Sequence, residues 1–310
     1  MLFQERIIER MQKTSNIPLW VYELALVMVT IIWGGSFLVL KGALDSMTPG
    51  WLLSLRFLCA AMILALPFVG RIRAHLDASH VRAGLLIGIP EGLAFLTQNV
   101  GLVGTTPGRN AFLTGTYCVM VPFLAWAIRG LRPSARDLLC ALLCLAGIGF
   151  VSLRGDLTLG LSRGDALTLV GAIFFAANIL CVDWFGHGRD PITLTFVELA
   201  AMAGVCVVWA LVTEPLPRLV SLSPDFWGQM AYVIVGSSML AMLLQNVAQR
   251  HVPSGRAALL MSLESVFATV FSLAFYGERL SVPVALGFIL IFVSVILSQL
   301  AQSAGMEEVL

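Results

Sequence analysis

A few charged side chains interrupt the long apolar runs of this sequence, and they are the first candidates for chemistry. Glu91, Glu198, Glu264 and Arg56 each lie well inside such a run. An ionisable group in the middle of a membrane costs a few kcal/mol, so it is retained for solute binding, ion pairing or proton transfer. These four residues therefore define candidate binding and coupling positions.

Glu91 follows Pro90, which removes a backbone donor and can bend a helix at that point. We expect Glu91 to line a cavity. On the same run Gly84, Gly88 and Gly92 recur every four residues, which favours a close-packing face over a binding surface.

Arg56 and Glu198 coincide when the two halves of the chain are aligned on Pro49 and Pro191. Their opposite charges at related depths predict a buried charge pair, with each other or with other helices, because an unpaired buried charge is costly. Separate contacts to a cavity, with a role in coupling, are the alternative.

The composition indicates that these charges lie in membrane-spanning segments. Of the 310 residues, 58% are hydrophobic and 12% are charged, and the net charge is +1. Such a composition excludes a sizeable soluble domain and gives no basic field for nucleic acid. Spans need about 20 apolar residues each, and ten are predicted, beginning near Leu19, Trp51, Ala83, Asn110, Ala135, Asp165, Ile192, Phe226, Gly255 and Val282.

The sequence lacks the motifs of an enzyme or an ATP-driven pump. The four histidines lie in predicted loops, and neither HExxH nor a phosphate-binding GxxxxGK[ST] occurs. The six cysteines lie in apolar runs and give neither a disulfide framework nor a metal site. We therefore expect no cofactor, and energy from an ion gradient or from the solute itself. Glu91 or Glu264 could exchange a proton, because removal from water favours a neutral carboxyl group.

The positive charges predict the orientation. With the N-terminus inside, twelve of the 19 Lys and Arg residues fall on the cytoplasmic side and six on the other, which favours cytoplasmic termini. We predict a leader at 1–18, either a surface helix or a frayed segment and not a signal peptide, and a cytoplasmic tail at 302–310.

The sequence contains an internal repeat. Gln98, Asn99 and Val100 recur as Gln245, Asn246 and Val247, an offset of 147 residues that also relates Tyr117 to Glu264. The predicted copies are 19–154 and 155–301. Because each copy has five spans, the second must enter the membrane from the opposite face. The predicted fold is thus an all-α integral membrane protein of ten transmembrane helices, arranged as two inverted five-helix repeats around a midplane site.

The chain resembles a known group, the EamA-like ten-helix branch of the drug/metabolite transporter superfamily. The resemblance covers about 19–301, and its motifs are WGGSF at 33–37, TTPGRNAFL at 105–113 and GERLS at 277–281. The sequence departs from the family at 130–132, which reads GLR without the acid of 277–279. It also departs at Ser265, where proline is common.

The resemblance implies a central cavity lined from spans one, three, four, six, eight and nine. The predicted substrate-binding residues on those spans are Trp33, Phe37, Glu91, Phe95, Thr114, Tyr117, Phe174, Asn178, Ser237 and Glu264. Aromatic walls with few polar groups suit a small amphipathic solute, such as an amino acid or a similar metabolite. The alternative is that each aromatic ring fills a gap between helices.

The resulting hypothesis is a secondary transporter in the cell inner membrane, whose partners are the lipid bilayer and a small-molecule solute. Family resemblance favours export. Facilitated import of a metabolite is an alternative, and so is a membrane receptor or assembly subunit that transports nothing. Proton coupling is a further hypothesis, while the solute and the oligomeric state stay open.

Overall fold

The computed structural model describes residues 17–105, 107–130, 132–152, 162–217, 222–276, 281–283, 285–287, 289–294 and 297. In this part of the chain every regular element is helical, as the composition predicts. The predicted leader, apart from residues 17 and 18, lies outside the described residues. So do the predicted tail and residues 277–280 of the third motif.

The first half of the chain forms long helices separated by short loops. They are α1 (Leu19–Leu44), α2 (Pro49–His75), α3 (Ala78–Val103), α4 (Pro107–Gly115), α5 (Tyr117–Arg129) and α6 (Ala135–Ser152). Pro67 lies inside α2, and the next residue, Phe68, has non-helical angles (φ −114°, ψ 15°), so the helix is kinked there.

The second half begins with α7 (Arg163–Phe185) and α8 (Pro191–Thr213). The next span is composite: α9 (Pro224–Ala231) continues through a π-helix (Tyr232–Leu240) into α10 (Ala241–Ala248) and a short 3₁₀ turn (Gln249–His251). Two further helices follow, α11 (Ser254–Met261) and α12 (Glu264–Tyr276). The predicted tenth span falls on residues that are described only in short pieces.

Six segments of the described chain are long and apolar enough to cross a membrane. They are α1, α2, α3, α7, α8 and the composite segment Pro224–His251. Their outer faces carry exposed large apolar side chains, such as Leu66 and Val212, which are 77% and 78% exposed. A surface of this kind suits lipid rather than water. The chain is therefore a multi-pass membrane protein.

Prolines and short polar side chains begin the helices. Pro49, Pro191 and Pro224 occupy the first turns of α2, α8 and α9, where a missing N–H costs nothing. Asp77 and Asp190 accept hydrogen bonds from the backbone N–H of His80 and Thr193, so they cap α3 and α8. Helices α2, α8 and α9 begin within two residues of their predicted starts, whereas α3, capped by Asp77, begins five residues before the predicted Ala83.

The predicted fourth and ninth spans are each divided in two. Thr116 separates α4 from α5, while Ser262 and Leu263 separate α11 from α12. The second pieces both have 13 residues, and both begin with a polar residue, Tyr117 and Glu264. Each break therefore places a predicted substrate-binding residue at the first position of a new helix.

The glycines of α3 form a packing face against α8. A Cβ atom on Gly88 would lie 2.6 Å from the carbonyl oxygen of Glu198, and one on Gly84 would lie 2.5 Å from Val197. Neither position has room for a larger side chain. Close backbone contact of this type holds helices together in lipid, where the hydrophobic effect contributes little to helix association.

Candidate functional site

A cavity lies inside the bundle, between α1, α3, α5, α7, α10, α11 and α12. Its lining comprises Trp33, Ser36, Phe37, Leu40, Glu91, Phe95, Gln98, Leu102, Tyr117, Phe175, Asn178, Ile179, Gln245, Met261 and Glu264. About 20 Å³ of it is open to the centre of a water-sized sphere, enough for about one water. A solute can enter this cavity only if the surrounding helices move apart.

Two glycines let α1 approach its neighbours beside the cavity. A Cβ atom on Gly34 would lie 2.7 Å from Cβ of Phe267 on α12, and one on Gly35 would lie 2.8 Å from the hydroxyl oxygen of Tyr232. The WGGSF motif therefore combines close helix packing with cavity lining, because Trp33, Ser36 and Phe37 face the cavity.

Four aromatic rings from four helices form one continuous wall. Phe95 of α3 meets Trp33 of α1 edge to face at 6.2 Å between centroids, and Phe175 of α7 at 5.1 Å. Tyr117 of α5 lies 6.3 Å from Phe175. Such edge-to-face packing fixes the rings and leaves an apolar surface toward the cavity.

Glu91 is fully buried and only partly hydrogen-bonded. Its Oε2 accepts from Nδ2 of Asn178 at 3.4 Å, which is a long hydrogen bond, while its Oε1 has no partner among the described residues. A buried carboxyl oxygen without a partner is costly unless a ligand or water reaches it. The Glu91 carboxyl group also lies beside that of Glu198, and its Oε1 can accept a hydrogen bond from a solute or a water.

Glu264 enters the cavity from the start of α12. Its described hydrogen-bond contact is with the hydroxyl group of Tyr117, which lies 3.5 Å from Oε1. Both side chains are almost completely buried. A contact of this length contributes little hydrogen-bond energy, so the Glu264 carboxyl group also has capacity for another partner.

Arg56 is buried behind Phe95 and does not line the cavity. Its Nη2 donates to the hydroxyl oxygen of Ser237 at 2.9 Å and its Nε to that of Ser238 at 2.5 Å. The guanidinium group also lies 4.9 Å from the centroid of the Phe95 ring. Arg56 therefore supports the aromatic wall from behind through hydrogen bonds and a cation–π contact.

The predicted charge pair between Arg56 and Glu198 is not formed in the described structure. Glu198 instead accepts a hydrogen bond from Nδ2 of Asn246, which also donates to Oγ1 of Thr195 at 3.0 Å. The alignment of the two halves places Arg56 and Glu198 at related depths in the membrane. Depth does not determine the direction in which each side chain points. The role of either residue in coupling stays a prediction.

Seven of the ten predicted lining residues lie at the cavity. They are Trp33, Phe37, Glu91, Phe95, Tyr117, Asn178 and Glu264. Thr114 does not line it, since its hydroxyl group accepts a hydrogen bond from Gln98 behind the wall. Ser237 is bound to Arg56, and its carbonyl oxygen accepts from Nε1 of Trp33 at 2.9 Å.

Phe174 is not among the described lining residues, and its neighbour Phe175 occupies the wall. Phe174 is only partly buried and packs against the surrounding apolar core. Asn178 lies four residues after Phe174 and three after Phe175, and either spacing places two side chains on one helix face. Spacing alone could not choose between them.

Two glutamines at the cavity were marked by the sequence repeat but were not predicted as lining residues. Nε2 of Gln98 donates to Thr114, and Nε2 of Gln245 donates to Asn178 and Gln249 at 3.4 and 3.0 Å. Oε1 of Gln245 has no partner in the described structure. The signal was present, because Glu91, Phe95 and Gln98 follow helical spacing along one face of α3.

Comparison with known proteins decides the family. The model of the EamA-like transporter family matches the chain twice, at residues 20–153 and 162–300. The chain belongs to the EamA-like transporter family. Members of this family are membrane transporters, which agrees with the apolar helices and with a cavity enclosed by them.

Curated relatives carry the same general description. An uncharacterized transporter of Archaeoglobus fulgidus is 32% identical over 278 residues, covering 90% of this chain and 85% of that protein. The uncharacterized transporter YyaM of Bacillus subtilis is 23% identical over 274 residues, covering 86% and 90%. A crystal structure of a protein 14% identical to the chain superposes with a TM-score of 0.72, covering 91% of this chain and 97% of that one. The last likeness concerns the fold alone.

Proposed function

We propose that this EamA-like transporter family member is a secondary transporter that exports a small organic solute across the cell inner membrane by alternating access. The observation that carries the proposal is a buried cavity between the helices where polar atoms lack partners. Oε1 of Glu91 and Oε1 of Gln245 both have none among the described residues. Buried groups in this state are suited to a ligand that comes and goes.

The proposed mechanism uses two inverted five-helix halves, 19–154 and 155–301, with both termini in the cytoplasm. The helix bounds support it. Shifted by 147 residues, α5 (Tyr117–Arg129) falls on α12 (Glu264–Tyr276), and the start of α4 falls on the start of α11. Two copies of one bundle in opposite orientations can exchange conformations and so open a shared site to either side.

The small size of the cavity fits a closed conformation in such a cycle. Room for about one water means that the lining residues from the two halves are close together. Opening toward the cytoplasm would separate some of these lining residues, and opening toward the other side of the membrane would separate others. Release of the contact between Tyr117 and Glu264, which joins the halves, is one such step.

Solute flux through purified protein tests the proposal. The full chain is reconstituted in proteoliposomes, and the flux of labelled amino acids, amines and nucleosides is compared with that of empty vesicles. We expect at least one class to move faster with protein present. No protein-dependent flux for any class would favour a receptor or assembly subunit. Accumulation rather than shedding of the solute by expressing cells would favour import.

A further inference from the structure

Most side-chain donors of the described cavity lining are already used by the protein; one N–H of Gln98 and the weakly held hydroxyl group of Tyr117 remain. Nε1 of Trp33 donates to Ser237, the hydroxyl group of Ser36 to the carbonyl oxygen of Trp33, and Nε2 of Gln98 to Thr114. Nδ2 of Asn178 donates to the carbonyl oxygen of Ile87 at 3.2 Å. The walls therefore have few donors left for a solute.

Several hydrogen-bond acceptors of the same lining lack a donor or have only a long contact. Oε1 of Glu91 and Oε1 of Gln245 have no partner in the described structure, and Glu264 has one long contact, at 3.5 Å. Nε2 of Gln245 is directed to Asn178 and Gln249, which fixes its oxygen as the free end of the amide. A solute that satisfies this site must bring hydrogen-bond donors.

The charge of the lining has one sign. Its ionisable residues are two glutamates, Glu91 and Glu264, with a tyrosine and without Lys, Arg or His among the described lining positions. The nearby cation, Arg56, lies behind the Phe95 ring and is held by Ser237 and Ser238. With its carboxyl groups ionised, the lining therefore favours a positive ligand, and Arg56, which interacts electrostatically with Glu91 from outside the lining, offsets part of that charge.

The aromatic wall suits the same ligand. Trp33, Phe95, Phe175 and Tyr117 present ring surfaces beside the two carboxyl groups. Aromatic faces attract ammonium groups and also pack against an apolar or aromatic body. A ligand with a flat apolar part and an ammonium group at one end matches both the aromatic wall and the two carboxyl groups.

We infer that the solute of this site is a primary organic amine in its ammonium form, carrying an aromatic or apolar body, and not a zwitterionic amino acid. This inference rests on the proposed function. A primary ammonium group supplies three donors, whereas a quaternary one supplies none. An amino acid would place its carboxylate among acceptors and glutamates, where the described lining offers few free donors.

A matched pair of ligands tests the inference on the wild-type protein. Binding of labelled tryptamine and tryptophan, which differ by one carboxylate, is measured at equilibrium with the full chain in detergent. We expect tryptamine to bind at least tenfold more tightly, and uncharged N-acetyltryptamine to bind more weakly than tryptamine. Equal or tighter binding of tryptophan would overturn the inference, and so would undetectable binding of tryptamine.

Variants assign the effect to the carboxyl groups. Glu264→Gln and Glu91→Gln should each weaken tryptamine binding about tenfold, whereas Asp225→Asn, an exposed acid in the first turn of α9, should leave it unchanged. Melting temperatures identify any variant that fails to fold. The ratio of the affinities for tryptamine and tryptophan is measured on the wild-type protein, so it does not depend on the variants. Unchanged affinity in both folded glutamate variants would contradict the assignment.

The outcome is separable from that of the proposed function. Protein-dependent flux of other solutes without tryptamine binding would refute the amine and leave transport standing. Tight tryptamine binding without flux of any solute in proteoliposomes would leave the amine site standing and refute transport.

Discussion

The hydroxyl group of Tyr117 lies 3.5 Å from Oε1 of Glu264, and the two residues are 147 positions apart in the chain. This separation is the same as the offset of the sequence repeat, so equivalent positions of the two copies meet each other at the cavity. Each residue is also the first of a new helix after a break. The contact therefore joins the two halves at the point where both helices are interrupted.

Removal of the Tyr117 hydroxyl group should affect transport more than folding. Tyr117→Phe keeps the ring against Phe175 but leaves Glu264 without its described contact. Because the contact is long, we expect a melting temperature close to that of the wild type. Initial flux in proteoliposomes should change severalfold, as the balance between closed and open conformations shifts. A flux identical to wild type would contradict a role for this contact in the cycle.

Enlarging a glycine of the α3 face should destabilise the protein. In Gly88→Ala the added methyl group would lie 2.6 Å from the carbonyl oxygen of Glu198 and 2.9 Å from Ala201, so α3 and α8 must separate. We expect a loss of about 1–3 kcal/mol, as for other overpacked sites, seen as a lower melting temperature in detergent.

Gly204→Ala on α8 provides the matched control, because a Cβ atom at that position meets nothing within 4 Å. Replacement of a helical glycine by alanine in open space is expected to be neutral or slightly stabilising. Equal melting temperatures of the Gly88 and Gly204 variants would show that the α3 face is not closely packed.

Glu214 should stabilise the start of α2 from the end of α8. Its carboxylate accepts hydrogen bonds from the backbone N–H of Gly50 at 2.9 Å and of Trp51 at 3.2 Å, and from the hydroxyl group of Thr48 at 2.7 Å. We expect Glu214→Ala to cost about 1–2 kcal/mol, since a helix N-terminus loses its acceptor. Thermal unfolding of the purified protein measures this cost.

Glu214→Gln keeps one acceptor oxygen at the same position, so it should lose less stability than Glu214→Ala. Asp225→Asn serves as the control for the removal of a negative charge near a helix start. Indistinguishable melting temperatures for Glu214→Ala and the wild type would exclude the cap.

Asp190, in the loop before α8, should make stability depend on acid pH. Partial burial raises the pKa of its carboxyl group, but the N–H of Thr193 and the guanidinium group of Arg71 outweigh burial, so its pKa is lowered overall. Because the folded pKa is below the unfolded one, its contribution is present above about pH 4. The contribution is lost as pH falls through the folded value.

The Asp190→Asn variant isolates this contribution. It should melt at a lower temperature than the wild type at neutral pH, and the difference should shrink as the pH is lowered toward 3. Melting curves between pH 3 and pH 7 measure this convergence. A difference that stays constant across the range would indicate that the carboxylate charge has no part in it.

Local sequence signals predicted where helices begin better than they predicted which side chains contact each other. Pro49 and Pro191 place helix starts with little help from the rest of the chain, because proline restricts its own backbone. The break at Thr116 was not predicted, although Gly115 lies directly before it and Pro122 lies inside α5. The charge of Glu91 inside an apolar run marked it as a candidate, whereas helical spacing could not choose between Phe174 and Phe175.

The tightness of the central chamber also matters for the cell that carries this protein. Protons cross membranes along files of hydrogen-bonded waters, and a chamber with room for about one water cannot hold such a file. In this conformation the chamber therefore gives protons no such path through its described lining. We expect the protein in this state to leave the proton gradient of an energised membrane intact.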